Sequence, residues 1–191
     1  HLVIALGQIS NLDIVPGLRD HAFKMRSLQD AHDLRNHIIG CMELADVTKD
    51  NKLRERLLNF VVVGGGFSGV ETVGEIKEMI DRLIPYYGSL TKNEVNFHIV
   101  EFANQLLPDM DKNIGEYTFR RFVKQNIQIH LNTSLEEVTQ YQIFLSNKKT
   151  ILSHTVISTI GSTVSNIIKN SDLDLEYGKI VTDGFLRVRN K

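Results

Sequence analysis

Apolar residues recur along this chain in two rhythms. Short continuous runs read as buried strands, and i, i+3, i+4 stripes read as helices. The clearest run is Phe60–Val63, β-branched and leading into Gly64-Gly65-Gly66-Phe67-Ser68-Gly69. Residues 70–84 then place Val70, Val73, Ile76, Ile80, Leu83 and Ile84 at helical spacing, and Pro85 and Gly88 end that helix. A second strand, Val95–Val100, closes on Glu101. A helix over 113–124, carrying Ile114, Tyr117, Phe119 and Phe122, and a third strand over 127–131 follow. Gln142–Leu145 and Ile151–Ile160 read as further strands around a turn at 147–149. Upstream, Leu2–Leu6 reads as a parallel-type strand ended by Gly7. Residues 8–26 read as a loop broken by Asn11, Pro16 and Gly17. Residues 30–45 read as a helix on Leu34, Ile38, Ile39, Met42 and Ala45, with Ser27 as N-cap and Asp30 three residues on. Phe185–Arg189 reads as a last strand. The alternation predicts an α/β fold: a Rossmann-like parallel sheet with helices on both faces, plus a small antiparallel β-meander.

Composition narrows the function classes. The 191 residues are 42% hydrophobic and 24% charged, ordinary for a globular protein with a real core. The formal net charge of −1 gives no basis for nucleic acid or an anionic membrane as partner. The single cysteine, Cys41, excludes an intrachain disulfide and reads as a small buried hydrophobe on an apolar helix face. The seven histidines lack metal-ligand spacing, so no metal site is expected. No apolar run approaches the ~20 residues of a membrane span. Both ends read as interrupted strands, which points to a piece of a longer protein.

The candidate chemistry sits after Val63. A G-x-G-x-x-G stretch that follows a strand and opens a helix is a dinucleotide-binding signature, and each glycine has a reason. Gly64 makes the tight turn, Gly66 lets a pyrophosphate approach the backbone, and Gly69 lets the helix pack on the strand. The unpaired N–H groups and the positive end of the helix dipole attract the phosphates. Glu101, at the end of the next strand, is placed to accept hydrogen bonds from the adenosine ribose and to repel a 2′-phosphate. Phe102, Ala103 and Asn104 follow it, with no Lys or Arg beside it, so NAD(H) is favoured over NADP(H). The interval from Gly69 to Glu101 exceeds the usual ~20 residues; a long helix and the 86–94 loop accommodate the excess. Glu71 and Glu75 follow in the first turns of the same helix. Acids favour helix N-termini in general, but one as close to a pyrophosphate as Glu71 suggests a second duty at the nicotinamide end.

Residues 61–75, Val-Val-Val-Gly-Gly-Gly-Phe-Ser-Gly-Val-Glu-Thr-Val-Gly-Glu, resemble the NADH-binding motif of type II NADH dehydrogenases. These are FAD-containing NADH:quinone oxidoreductases of the pyridine nucleotide-disulfide oxidoreductase superfamily. The likeness extends to His1–Gly7 with Asn11, Pro16 and Gly17, to Leu28–Leu44, to Ile99–Glu101 with Leu106–Pro108, to Ile157–Gly161 and to Gly178–Asp183. Phe67 and Ser68 stand where Pro-Thr is frequent in the family, and Ile160 where a small Ala is common. The resemblance implies that residues 1–26 end the first half of a FAD domain, 27–160 form the NAD(H)-binding domain, and 161–191 begin the return to the FAD domain. It also implies that Gly64, Gly65, Gly66, Phe67, Ser68 and Gly69 hold the pyrophosphate and Glu101 the ribose. Glu71 and Gly161 would lie near the nicotinamide, and Thr133 and Ser134 near adenine through their backbone.

The full-length enzyme so implied passes hydride from NADH to FAD and electrons on to a quinone, at the cytoplasmic face of the membrane as a peripheral protein. No residue of this span is expected to act as an acid–base catalyst, and the span alone is expected to lack FAD and activity. Two alternatives stay open: another flavoenzyme of the superfamily (a ferredoxin, nitrite or disulfide reductase), and a non-catalytic nucleotide-sensing module. Exposed strand edges also lead to an expected homodimer.

Overall fold

The computed structural model describes residues 2–176 and 179–189. In chain order the elements begin with β1 (Gln8–Ser10), α1 (Leu18–His21), β2 (Ala22–Lys24), α2 (Leu28–Val47), α3 (Asn51–Leu57) and β3 (Asn59–Val63). They continue with α4 (Phe67–Leu83), β4 (Asn96–Val100), α5 (Lys112–Lys124), β5 (Ile127–His130), β6 (Leu135–Val138) and β7 (Gln142–Leu145). The last are β8 (Thr150–Leu152), β9 (Thr155–Ser158), β10 (Ser162–Val164), α6 (Asn166–Lys169), β11 (Leu175–Glu176) and β12 (Lys179–Ile180). The chain divides into two units, Leu12–Ile160 and the segments flanking it.

The larger unit is an α/β fold of Rossmann type. Its sheet runs β2-β9-β3-β4-β5, with every neighbouring pair parallel. β3 lies in the middle and all five of its residues are buried, as a strand covered on both faces must be. Its alternation sorts two cores. Phe60 and Val62 join Ile99, Ile157 and the apolar stripes of α2, α4 and α5 on one face. Val61 and Val63 join Val100, Val156, the antiparallel β6-β7-β8 meander, and Leu12 and Leu18 on the other. The three long helices therefore share one face, and the meander with the short α1 covers the other.

Local chemistry explains the boundaries. α2 opens on a capping box: the Ser27 hydroxyl accepts the Asp30 N–H at 3.1 Å, and the Asp30 carboxylate accepts the Ser27 N–H at 2.8 Å. α3 opens on Asp50, whose carboxylate accepts the N–H groups of Lys52 and Leu53. The 8–26 stretch is not all loop. It contains β1, α1 and β2, the last a three-residue edge strand aligned by β9. The run from Ile151 to Ile160 is two strands. The Ser153 hydroxyl accepts the Thr155 N–H at 2.9 Å, and this local bond breaks the run, sending Ile151 to the meander and Ile157 to the sheet.

In the smaller unit, β1 pairs antiparallel with β10, and β11 with β12. The expected strand at Leu2–Leu6 does not form. The segment has no strand neighbour among the described residues, and Leu2 and Val3 are 87% and 85% exposed. The expected strand at Phe185–Arg189 is instead a turn with one bridge, Thr182 to Val188. The Asp183 carboxylate accepts the N–H groups of Phe185 and Arg187, and turn chemistry overrides the apolar pattern. Of the Gly178–Asp183 stretch, Gly178 lies outside the described residues.

Candidate functional site

The C-terminal ends of the parallel strands carry the glycine turn, the region where such sheets bind ligands. Gly64 has φ 106°, a backbone open to glycine, and a Cβ there would lie 2.5 Å from Thr159 Oγ1 and 2.8 Å from Ile160 Cγ2. At Gly69 a Cβ would fall 1.8 Å from the Gly64 carbonyl oxygen, so the helix approaches the strand end closely. Gly65 is equally confined, against Leu106 and Glu101. Gly66 differs. Its backbone is extended (φ −72°, ψ −171°) and nothing lies within 4 Å of where a Cβ would stand. The protein itself therefore imposes no need for glycine at 66, and the space beside its Cα is open.

Gly66 is also the N-cap of α4, and no side chain caps that 17-residue helix. The first N–H groups of a helix have no intrahelical acceptor. α2 and α3 satisfy theirs with Ser27 and Asp50, whereas α4 leaves the turn at Phe67, Ser68 and Gly69 without a side-chain acceptor. Phe67 and Ser68 are exposed. An uncapped helix start in a glycine cradle suits a diphosphate.

Glu101 does more than wait for a ribose. Its carboxylate accepts the Gly65 N–H at 2.5 Å and the Ala103 N–H at 2.7 Å. It therefore pins the glycine turn to the loop after β4. That loop returns the grip: the Leu107 N–H donates to the Gly65 carbonyl at 2.8 Å, Leu106 is fully buried beneath the turn, and Leu107 takes φ 52°. A carboxylate has about four lone-pair positions, and the two backbone bonds leave acceptor capacity for a hydroxyl pair.

Residues far off in the chain complete the floor. The Thr159 N–H and hydroxyl both donate to the Val63 carbonyl at 2.9 Å, bracing the strand end from which Gly64 turns. Spacing did not reveal Thr159; the signal would have been the adjacency of β9 and β3. Phe102, directly after Glu101, is 80% exposed.

The remaining expected residues do not all gather here. Glu71 is exposed and lines a groove of about 410 Å³ between α2 and α4, together with Met25, Leu34, Arg35, Glu75 and Met79; neither Glu101 nor the Gly64–Gly69 turn lines it. Thr133 is 3% exposed. Its N–H donates to the Glu101 carbonyl and its hydroxyl to that of Leu131. The Ser134 N–H donates to Ser146 Oγ. Both lie next to the acid, but neither offers a free N–H to a base. Gly161 belongs to the smaller unit, has φ 77°, and accepts the Asn11 N–H at 2.5 Å. Cys41 is buried, 3.4 Å from His37 Nε2, and burial raises its thiol pKa. Among the described residues no three His, Cys, Asp or Glu groups converge as metal ligands, and no helix is long and apolar enough to cross a membrane.

Comparison with known proteins bears on the family and the fold. A "Probable NADH dehydrogenase" of Dictyostelium discoideum is 29% identical over 197 residues, covering 99% of this chain and 43% of that protein. The "Type II NADH:quinone oxidoreductase NdhA" of Mycobacterium tuberculosis is 35% identical over 125 residues, 65% of this chain and 27% of that protein. The chain thus spans less than half the length of these relatives. Among solved structures, NDH2 from Plasmodium falciparum in complex with NADH superposes with a TM-score of 0.80 at 24% identity, covering 85% of this chain and 35% of that one, which is a likeness of fold. The pyridine nucleotide-disulphide oxidoreductase family matches over residues 1–191, and the chain belongs to that family.

Proposed function

We propose that the larger unit is the NAD(H)-binding domain of a flavin-dependent NADH dehydrogenase, with the flanking segments belonging to its flavin-binding half. The observation that carries this reading is the open Gly66 at the uncapped start of α4, next in the chain to Gly65, whose N–H, with that of Ala103, holds the Glu101 carboxylate in place. Gly64–Gly69 hold the diphosphate and Glu101 accepts from the adenosine ribose hydroxyls. Phe102, Ala103 and Asn104 supply no cation for a 2′-phosphate, and the Glu101 charge opposes one, so NADH is the favoured ligand.

In the longer enzyme that this reading implies, the chemistry supplied by the bound groups would be hydride transfer from NADH to a flavin, with the electrons passed on to a quinone. The names of the relatives support that reaction class. This chain's own residues orient the nucleotide and set the charge around it. Membrane attachment, as a peripheral protein, would come from outside this span.

Calorimetric titration with NADH and with NADPH, on the unaltered chain and on Glu101→Ala, tests the assignment. NADH is expected to bind more tightly than NADPH, and the preference is expected to shrink in Glu101→Ala. Tighter binding of NADPH by the unaltered chain would overturn the cofactor assignment.

A further inference from the structure

At the other end of the sheet from the glycine turn, α3 faces the edge of the meander across a groove of about 540 Å³. Lys52 and Arg56 line it from α3, Gln140 and Tyr141 from the turn between β6 and β7, and Gln142 from the start of β7. α3 ends just before β3 begins, and the five residues of β3 separate this groove from Gly64 by about 16 Å at ~3.3 Å per residue. Binding here is therefore separate from binding at the dinucleotide site.

The groove is built around an unmatched cation. The Arg56 guanidinium lies 4.9 Å from the centroid of the Tyr141 ring, and that ring packs 4.5 Å from the His154 imidazole. The Tyr141 ring thus makes close contacts with both Arg56 and His154. Arg56 Nε and His154 Nε2 are fully buried and have no hydrogen-bond partner. Neither Arg56 nor Lys52 is ion-paired among the described residues. A partly desolvated guanidinium without an anion is costly, and a fixed fork is the geometry that recognises oxyanions. Lys52 sits one helical turn away on the same element. Asp50 is the opposing charge in the groove, and it is committed to capping α3 through the Lys52 and Leu53 N–H groups.

We propose that this groove binds a small organic oxyanion, a phosphate or carboxylate group on a compact body. The two Nη groups of Arg56 and the Lys52 ammonium hold the anion, and the exposed amides of Gln140 and Gln142 supply further donors. The cation–ring contact holds the fork in one orientation, so less side-chain freedom is lost on binding.

Amide NMR of the full chain, titrated with citrate and separately with inorganic phosphate against potassium chloride at matched ionic strength, tests the proposal. Saturable shifts at Gln140, Tyr141 and Gln142 are expected. Phosphate also shifts the glycine-turn amides, which report separately. The stronger of the two probes identifies the preferred anion class. Lys52→Gln, at an exposed position, is expected to keep the thermal midpoint and weaken binding several-fold. Arg56→Lys keeps the charge but loses the fork, and is expected to weaken binding by about tenfold. Shifts that merely track ionic strength, or affinities equal in the unaltered chain and both variants, would overturn the proposal.

Discussion

At the residue scale, the glycines of one motif answer to different constraints and so predict different phenotypes. Gly69→Ala drives a methyl into the Gly64 carbonyl and is expected to cost more than about 2 kcal/mol in denaturant unfolding. A variant as stable as the parent would contradict that contact. Glu101→Ala removes the acceptor of two backbone N–H groups, and is expected to cost about 1–3 kcal/mol, while Glu101→Gln keeps part of this. Chemical denaturation of the pair checks the ordering. The glycines and the acid were legible in the sequence because a strand, a turn and a helix start are contiguous there. Thr159 and the clasp by Leu106 and Leu107 were not, because they reach the turn from the segments that follow β9 and β4, and no local pattern encodes that adjacency.

Among the elements, legibility followed hydrogen bonding nearby in sequence. The Ser27–Asp30 box could be read directly, and the α4 and α5 stripes gave their helices to within a few residues. β6 escaped notice because a register shift between Leu135 and Glu137 breaks its two-residue period: Leu135 and Val138 both face the core, with Glu136 and Glu137 outside. Loop anchoring was equally invisible. Arg54 donates to the Ala45 carbonyl at 2.8 Å, to Glu94 Oε1 at 2.8 Å and to the Ser89 carbonyl at 2.7 Å, tying α2, α3 and the 88–94 loop together. The Arg54 bond to Glu94, and then the bonds from Thr91, hold the Glu94 carboxyl down at about 2. Arg54→Ala leaves these acceptors unpaired and is expected to cost about 1–3 kcal/mol. It should also raise amide exchange over 88–94 before it does so in β3. Uniform exchange would show that the loop is held by other means.

For the whole molecule, the sequence rightly indicated a parallel sheet but not how its faces are shared. A one-sided helix layer with a meander opposite follows from the sorting of alternate strand residues into two clusters. The same sorting sets the acid stability. His98, on β4, stacks on His130 with Nδ1 3.2 Å from the partner Nε2. Burial, then the neighbouring His130, pushes His98 down to about 4, and burial also lowers His130, His37 and His154. The unfolded chain binds these protons near 6.5 and the folded chain does not. Stability is therefore complete above pH 6.5 and is lost as pH falls toward 4, on the order of 3 kcal/mol from His98 alone. Thermal unfolding between pH 7 and 4.5 should show this fall, and His98→Leu should flatten it. An unchanged slope in that variant would place the protons elsewhere.

The central claim is that the glycine turn binds NADH, and Gly66 isolates it. Alanine fits there without a clash, and as a poorer helix cap than glycine costs about 0.5–1 kcal/mol. The decisive measurement is therefore NADH titration of the unaltered chain beside Gly66→Ala, with thermal midpoints recorded for both. The account predicts a midpoint lowered by no more than about 4 °C and NADH binding weakened by about tenfold or more in the variant at a temperature where both are folded, because the methyl fills the space left for the diphosphate. Equal NADH affinity in the two proteins, or no NADH binding by the unaltered chain, would contradict it.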